Sequence, residues 1–375
     1  MPKTAALALM ALLAAVTLTT AAFGSPNDGS GSYIEPTFNP VTAVPNPAGA
    51  GLKANHIIYD EAHDRLIASV PSSHATLGNS IVPMFRDGRL GDPVPVGSEP
   101  NVLAISGDGL YLYVGLDGVG AVRRVNLETM TPDIQWSLGN DLTCGRFVAG
   151  DMVVLDHMPA SVAVARHNPC RSTHEGVVVY DNGVMRPSTT PTANPNDVIE
   201  PSADPAVLLG LDRDSTGRDF HQLAVDSTGV NEVSSVADLL TSYASDIRYI
   251  DGRLYAPNGD VINTADFTYA GQFDAYSNAL PIVRNGRAFF LVYVPSIGGY
   301  ELQVFDAGSF TLLAATVIGG LSDSQPGNLV DFIDTGLNSM GIRLGDGDVF
   351  WLSIRLVQHT SYFPLIGKGA NEDAR

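Results

Sequence analysis

Residues 99–128 read EPNVLAISGDGLYLYVGLDGVGAVRRVNLE, and this segment decides the fold class. It holds three short apolar stretches, the first two at residues 101–105 and 110–114, separated by Gly-rich turns. Gly107-Asp108-Gly109 supplies the positive φ angles that tight β-hairpins require. Three antiparallel strands joined by two such turns make up most of one β-propeller blade.

The same turn-then-strand unit recurs along the chain. Seven copies average about 47 residues apart, which is the length of a four-stranded blade. The turns are centred near Ala62, Asp108, Met158, Asp204, Gly252, Asn285-Gly286 and Asp346. A β-sandwich also contains short strands and turns, but it does not repeat one unit at a near-constant period. We therefore predict an all-β, seven-bladed β-propeller over residues 33–366, followed by a tail at 367–375.

The propeller ring must close, because each blade needs a neighbour on both faces to bury its apolar residues. Residues 33–44 precede the first full blade, and the last repeat runs out of clear strands after Ile354. We expect the ring to be closed by an N-terminal strand that becomes the outer strand of the final blade. Pro36, Pro40 and Pro45 fit such an edge strand, which does not need every N–H donor.

Composition limits both the fold and the partners. The chain has 38 Gly and 24 Pro, which suit many turns, and we predict a helix only at residues 236–244. Forty acidic residues against 21 basic ones give a net charge of −19. This charge repels phosphate backbones and anionic lipid surfaces. We therefore expect no nucleic-acid partner, no membrane partner and a monomer.

The N-terminus has the pattern of a secretory signal peptide. Lys3 precedes an uncharged run at residues 5–20, and Ala22-Phe23-Gly24 places small residues at the cleavage positions. We predict a signal peptide at residues 1–24 and a flexible segment at 25–32. The protein is then expected to be secreted, either to the periplasm or to the extracellular space.

The second repeat carries a recognisable family pattern. Its order Pro-x-x-Leu-Ala-Ile-Ser-x-Asp-Gly-x-x-Leu-Tyr-Val-Gly, from Pro100 to Gly115, resembles the YVTN family of secreted bacterial propeller repeats. That family is close to the bacterial propeller lactonases. The resemblance implies a propeller fold and export, and no lactonase active-site motif is present to carry over.

Loops on one rim of the ring are expected to hold any site. In a propeller this rim carries the links between blades and the loops between the second and third strands, and long loops on a rigid scaffold often carry function. On this reading the rim loops are residues 71–79, 97–101, 139–147, 168–176, 213–219 and 319–329. Cys144 and Cys170 both fall there, so an exported chain is expected to join them in a disulfide rather than in a metal site.

Residues 212–219, DRDSTGRD, have the spacing of half a calcium loop. Asp212, Asp214 and Thr216 stand at the first, third and fifth positions, with Gly217 at the sixth. The closing acid is missing, because Leu223 occupies the twelfth position. The same residues are typical of a solvated hairpin turn, so we predict no cofactor and keep calcium as the alternative.

Catalytic candidates are present, although the motifs of nucleophile elbows, zinc proteases, P-loops and dinucleotide sites are absent. A His beside an Arg and a carboxylate offers acid–base chemistry on a lactone or uronic acid. The catalytic candidates are His174, His221, Arg171 and Arg218. The ligand-binding candidates are His74, Glu99, Asp141, Arg146 and His167. Each is also explained as an ordinary loop residue, either in solvent or with its hydrogen bonds satisfied within the protein.

Two functions follow from this sequence. One is a secreted or periplasmic binding module for a small polar, carbohydrate or protein ligand. The other is a propeller hydrolase or lyase acting on a lactone or acidic polysaccharide. We place the site on the rim of the third and fourth blades, where His and Arg residues in a strongly acidic chain predict a small anionic or polar ligand.

Overall fold

Seven four-stranded antiparallel sheets follow one another along the chain in the computed structural model. The structure describes residues 36–39, 44–45, 51–170, 173–192, 196–213, 218–321, 328–336, 339–353 and 355–358. These residues lie in one compact unit, Pro36–His359. The predicted signal peptide, the segment 25–32 and the tail 367–375 lie outside the described residues. The described sheets confirm the predicted seven-bladed propeller.

Each blade runs outward from the central channel through strands 1 to 4. Blade 1 contains His56–Asp60, Arg65–Val70, Ser80–Phe85 and Val94–Pro95, with a 3-10 turn at Glu61–His63. Blade 2 contains Pro100–Ile105, Tyr111–Leu116, Ala121–Asn126 and Thr131–Ser137. Blade 3 contains Val148–Val154, Ser161–Asn168, Thr173–Asp181 and Val184–Met185. Blade 4 contains Val198–Pro201, Val207–Leu211, Phe220–Asp226 and Gly229–Val236.

The remaining blades follow the same order. Blade 5 contains Arg248–Ile250, Arg253–Tyr255, Asp260–Asn263 and Thr268–Gln272. Blade 6 contains Ile282–Arg284, Arg287–Val294, Gly299–Asp306 and Leu312–Ile318. Blade 7 contains Leu329–Asp334, Ser339–Leu344, Val349–Ser353 and, as strand 4, Val44–Pro45. Two small pairs complete the described strands: Pro36–Asn39 with Arg355–Gln358, and Asn140–Asp141 with Gly145–Arg146.

Strand 2 of blade 2 shows why these sequences pack as blades. Leu112 and Val114 pack into the cluster between blades 1 and 2, whereas Tyr113 packs between blades 2 and 3. Both faces of the strand are therefore buried, which explains its nearly continuous apolar sequence. Gly109 closes the preceding hairpin with φ of 70°, as its sequence predicted. Each of the seven hydrophobic clusters of the described residues likewise fills one boundary between neighbouring blades.

An N-terminal strand closes the ring, as predicted. Val44 pairs with Trp351 and Pro45 with Phe350 in blade 7. Trp351 is fully buried and belongs to the hydrophobic cluster that joins blade 7 to blade 1. The chain before it, Pro36–Asn39, pairs instead with Arg355–Gln358 in a separate sheet. The closing strand is therefore shorter than the predicted segment and includes Pro45, which an edge position accepts.

The seventh repeat was assigned to the wrong strand. The turn at Asp346 precedes strand 3 of blade 7, whereas the other six predicted turns precede strand 2. In blade 7 strand 2 is Ser339–Leu344, so the equivalent turn lies about ten residues earlier, after Gly336. This displacement explains why the sixth and seventh predicted turns, at Gly286 and Asp346, are farther apart than the average of about 47 residues.

The predicted helix at residues 236–244 is not formed. Val236 ends strand 4 of blade 4, and the residues after it form an irregular link to blade 5. Leu240 and Ala244 are buried in the cluster between these two blades. Leu240 and Ala244 are four residues apart, as two residues on one face of a helix would be. In the structure they are two points at which an irregular link is buried, so the apolar spacing does not indicate a helix here.

Arginine side chains join the blades on one face of the ring. We name the face that carries the 1–2 and 3–4 turns the turn face, and the opposite one the link face. At six of the seven boundaries in the described residues, an arginine donates a hydrogen bond to the neighbouring blade at the turn face. The pairs are Arg65 with Leu127 O, Arg124 with Asn182 Oδ1, Arg186 with Asp226 O, Arg253 with Ala307 O, Arg284 with Gly336 O and Arg86 with Thr335 O. These contacts use much of the positive charge of the chain for ring assembly.

Candidate functional site

A central cavity of about 710 Å³ lies among the innermost strands. Its lining extends to Glu61, Asp156 and Asp204 in the 1–2 turns, so the cavity reaches the turn face. Eight carboxylates line it, together with one arginine, Arg248, and one histidine, His56. The carboxylates are Glu61, Asp151, Asp156, Glu200, Asp204, Asp246, Asp331 and Asp334. The described cavity is therefore strongly acidic.

Backbone geometry explains how several of these side chains are held. Strand 1 is an edge strand, so some of its N–H groups lack partners within the sheet. Asp151 in blade 3 accepts a hydrogen bond of 2.9 Å from the N–H of Ile199 in blade 4. Glu200 in blade 4 accepts one of 3.3 Å from the N–H of Tyr249 in blade 5. An acidic side chain thus links consecutive inner strands and is fixed inside the cavity.

Other side chains also accept hydrogen bonds from the N–H groups of strand 1 in the next blade. Asp331 in blade 7 accepts a hydrogen bond from Ile57 in blade 1 and another from Arg343 of its own blade. His56 in blade 1 accepts one from Leu103 N–H in blade 2 through Nδ1, at 3.1 Å. Because Nδ1 is the acceptor, the neutral ring carries its proton on Nε2. Burial lowers the pKa of His56 and favours this neutral form.

Three cavity carboxyl groups have pKa values shifted toward neutrality. Burial raises the pKa of Glu200 to about 8, with the nearby carboxylates of Asp246 and Asp151 adding to the shift. Burial and the charge of Asp246 raise the pKa of Asp151 to about 7. Burial raises the pKa of Asp246 to about 6, although the positive charge of Arg248 opposes this. These acids are held close together with too little positive charge to neutralise them.

Two cavity oxygens remain available for a ligand. The hydrogen bond to Glu200 uses Oε2, and the bond to Asp246, from Ile247 N–H, uses Oδ1. In the described part of the chain no hydrogen bond reaches Oε1 of Glu200 or Oδ2 of Asp246. Both residues are only partly exposed, and both line the cavity. The cavity thus combines enclosed space with free acceptor atoms, as small-molecule sites do.

The candidates in blade 1 and its links hold loop structure. His74 accepts hydrogen bonds from Thr76 N–H and Leu77 N–H through Nδ1, which closes its own loop. Glu99 has φ of 51° and accepts hydrogen bonds from the backbone and hydroxyl of Ser72. Glu99 therefore joins the link between blades 1 and 2 to the loop between strands 2 and 3 of blade 1.

The candidates in the link before blade 3 form a second loop structure. Asp141 accepts hydrogen bonds from Thr143 N–H and Cys144 N–H and so shapes the small hairpin. Arg146 donates to the carbonyl of Asp117 at 3.1 Å. The predicted disulfide is present and joins Cys144 to Cys170, with 5.6 Å between their Cα atoms. These residues fix the link face beside blade 3.

The histidine and arginine candidates of blades 3 and 4 do not all converge. His167 and His174 are opposite each other across strands 2 and 3 of blade 3. His221 is buried in strand 3 of blade 4, with Nδ1 3.4 Å from Glu232. Arg218 instead donates to the carbonyl of Leu240 and to Asp238, so it holds the link to blade 5. Three further candidates, Arg171, Asp214 and Thr216, lie outside the described residues.

His174 belongs to a compact cluster with two buried carboxylates. Its Nδ1 lies 2.5 Å from Oδ1 of Asp197, and one ligand atom each of His174, Asp197 and Asp212 fall within 4.8 Å of one another. Burial opposes ionisation of Asp197, but hydrogen bonds from His174 and Arg213 N–H hold its pKa below the usual value. We name these three residues the link-face cluster. Asp212 is the only calcium candidate that the structure describes.

The sequence prediction missed the cavity acids and Asp197. Their common signal is an ionisable residue in or next to an otherwise apolar strand 1. It is visible in the short segments NHIIYD, GDMVVL, DVIEP, SDIRYI and LVDFID, which begin at Asn55, Gly150, Asp197, Ser245 and Leu329. Strand 1 is the innermost strand of each blade, so these segments line the channel. The search for a site followed the long loops instead, where histidines and arginines were more conspicuous.

Comparisons with known proteins support the fold. No protein-family model matches the chain, and no curated protein matches it. The β-propeller domain of Cps50 (Swd1) from Myceliophteria thermophila is 11% identical, with a TM-score of 0.61 over 85% of this chain and 100% of that one. The WD40 propeller domain of Doa1 is 8% identical, with a TM-score of 0.57 over 85% and 97%. Kuenenia stuttgartiensis hydrazine synthase is 14% identical, with a TM-score of 0.56 over 81% and 96%.

These similarities establish a shared fold, since all three identities are low. Propellers commonly serve as binding and interaction modules, and a rigid ring around a cavity suits that general role. Within the described residues, no helix is long and apolar enough to cross a membrane. The YVTN-type family assignment stays a prediction.

Proposed function

We propose that this chain is an exported binding propeller whose central cavity takes a small, positively charged ligand. The observation that carries the proposal is the imbalance of eight carboxylates against one arginine in the lining. A cavity of about 710 Å³ lies within the size range of small-molecule sites. In an enclosed site of low dielectric, a cation gains more from carboxylates than it does in water. A diamine or polyamine has this chemistry.

The charge of the cavity also supports one kind of ligand over another. An anionic substrate such as a uronic acid meets repulsion from Glu200 and Asp246 when these are ionised. Of the two arginines that favoured an anionic ligand in the sequence, Arg218 holds the link between blades 4 and 5, and Arg171 lies outside the described residues. We therefore place the site in the channel and favour a cation over the predicted anionic or polar ligand. The signal peptide predicted from the sequence and the Cys144–Cys170 disulfide support the proposed export.

Spermidine binding measured by calorimetry tests this proposal. A bound cation favours ionisation of nearby carboxyl groups, and the double variant Glu200→Gln, Asp246→Asn keeps the shape of both side chains but cannot ionise at either position. We expect its affinity for spermidine to fall at least about tenfold, since each lost ion contact is worth on the order of 1 kcal/mol or more. The surface variant Asp92→Asn, which lies outside the cavity, is expected to bind as the wild type does.

Equal affinity in the double variant and in Asp92→Asn contradicts the channel as the site. Galacturonate and glucose serve as anionic and neutral controls, and tighter binding of either than of spermidine contradicts the ligand class. Because exposed charges are screened by salt, the comparison is made at physiological ionic strength.

A hydrolase is the second candidate, and one observation favours it. Asp151, Glu200 and Asp246 have pKa values of about 7, 8 and 6 in a solvent-reached cavity, which is the range useful for general acid and base catalysis near neutral pH. A neutral lactone is the substrate class compatible with this acidic lining. Turnover of a lactone panel that is lost in Glu200→Gln and kept in Asp92→Asn would favour this function over simple binding.

A further inference from the structure

The link-face cluster stands apart from the cavity and places two carboxylates side by side. Asp197 and Asp212 lie one residue beyond the paired Val198 and Leu211, so they are cross-strand neighbours. Both are more than nine-tenths buried, with relative exposures of 6% and 7%. Like charges at opposed positions of a β-pair repel each other, and burial strengthens that repulsion. The arrangement needs positive charge.

Arg213 and His174 interact with this pair through Asp197. Arg213 N–H donates to Oδ2 of Asp197 at 3.1 Å, and the Arg213 guanidinium provides one positive charge nearby. His174 donates to Oδ1 of Asp197 through Nδ1–H, a contact that favours the ionised carboxylate. A divalent cation among the three ligand atoms would stabilise both carboxylates in their ionised form.

A small cavity next to the cluster gives the second observation. It measures about 110 Å³ and is lined by Gly150, His167, Asn168 and Asp197, among others. Asn168 is fully buried, and its Nδ2 has no hydrogen-bond partner among the residues that the structure describes. Buried amide groups are normally satisfied, so this donor points to a missing acceptor in the cavity. A water or other oxygen bound to a metal would be that acceptor.

We propose that His174, Asp197 and Asp212 bind a divalent transition metal such as Zn²⁺ or Mn²⁺, with water completing the coordination from the Asn168 side. Three protein ligands plus water make a metal site with one open position. The imidazole favours a transition metal over Ca²⁺, whose preferred ligands are oxygens. Tetrahedral ligands of Zn²⁺ lie about 3.4 Å apart, so side-chain rotations must move His174 Nδ1 away from Oδ1 of Asp197 and bring the more widely spaced ligand atoms closer. Metal binding displaces and releases any proton shared by His174 Nδ1 and Asp197 Oδ1.

Equilibrium dialysis with elemental analysis tests the site on the full chain. Protein freed of metal by a chelator is dialysed against Zn²⁺, Mn²⁺ or Ca²⁺ in separate experiments. We expect one Zn²⁺ or Mn²⁺ per chain, and at least a tenfold weaker affinity in His174→Gln and Asp212→Asn. His157→Gln is the matched control, because His157 is an exposed histidine in a turn of the same blade. It is expected to bind metal as the wild type does.

Two further measurements keep the result interpretable. Unfolding of each variant in chelator shows whether the fold is retained. Visible absorption after loading with Co²⁺ reports the imidazole ligand and should change in His174→Gln but not in His157→Gln. Glu200→Gln should keep full metal binding, so failure of the channel proposal remains distinguishable from failure of this one.

Three results would overturn the metal site. The first is a wild-type chain that retains no metal, and the second is equal binding by folded His174→Gln or Asp212→Asn. The third is a preference for Ca²⁺ over both transition metals, which would remove the imidazole from the ligand set.

Discussion

Carboxylates at the turn face and in the central cavity have opposite environments. Asp60 is fully buried and receives a hydrogen bond of 2.7 Å from Arg65, which also bonds to the neighbouring blade. The hydrogen bonds that Arg186 donates lower the pKa of Asp181. In the cavity, Glu200 and Asp246 have raised pKa values because burial is not matched by enough positive charge.

This difference separates structural acids from candidate functional ones. A buried carboxylate with its own arginine is stabilised in the ionised state, and losing the arginine is costly. A buried carboxylate without one is held in place at some cost to stability, as residues in binding and catalytic sites often are. Amide substitutions should therefore have opposite effects on stability in the two regions.

Removal of an inter-blade arginine should have the largest effect. Arg65→Met leaves the buried Asp60 carboxylate without its strongest partner and removes the contact to Leu127 of blade 2. We expect the free energy of unfolding to fall by about 3–5 kcal/mol, measured by urea denaturation. Arg89→Ala breaks an exposed pair with Asp87 and should cost at most about 1 kcal/mol. Similar losses in both variants would contradict a structural role for the buried pair.

Glu200→Gln should stabilise the protein, with a smaller effect of opposite sign. The amide oxygen can still accept the hydrogen bond from Tyr249 N–H, while the buried charge is removed. At pH 8.5 we expect a gain of about 1–3 kcal/mol in the same assay. Asp181→Asn makes the equivalent change at the turn face and should lower stability instead. Two losses, or two gains, would show that the arginine does not distinguish the regions.

Protonation of the cavity acids should make the stability of the protein depend on pH, with a smaller effect than either substitution. The folded pKa values of Glu200 and Asp246 are raised, so the folded state holds protons that the unfolded chain releases above about pH 4.5. The stabilisation from protonation is complete below the unfolded pKa and is lost as pH rises through about 6 to 8. The melting temperature should therefore increase by a few degrees, about 2–4 °C per kcal/mol, as pH falls from 8.5 toward 6.

His56 should lower the stability of the protein as pH falls, which is the opposite of the effect of the cavity acids. Its pKa is lowered in the folded state, so its stabilisation is present above the ordinary value of 6.5 and is lost as pH falls through the folded pKa. His56→Asn keeps an acceptor for Leu103 N–H but does not titrate. Its melting temperature should keep rising at pH values where that of the wild type levels off. Parallel pH profiles for the two proteins would rule out this contribution.

The sequence predicted the repeating blades for a local reason. Turn chemistry, apolar strands and a period near 47 residues are properties of short segments, and residues 99–128 display all of them within one blade. The closing strand could be predicted because a ring with one open blade would expose apolar surface. The errors at Asp346 and at residues 236–244 arose where one short segment fits two local structures equally well.

The sites depended on contacts that only the folded ring creates. Asp197 and Asp212 become neighbours of His174 because strands from two blades end at the same place on the link face. Glu200 and Asp246 acquire raised pKa values because the ring encloses them with other acids. The residues around an arginine do not reveal whether it binds a ligand or a neighbouring blade, because its acceptor in the next blade lies tens of residues away in the sequence. Local sequence thus determined the fold of each blade, and the packing of the blades decided which charged residues are neutralised and which remain available to a ligand.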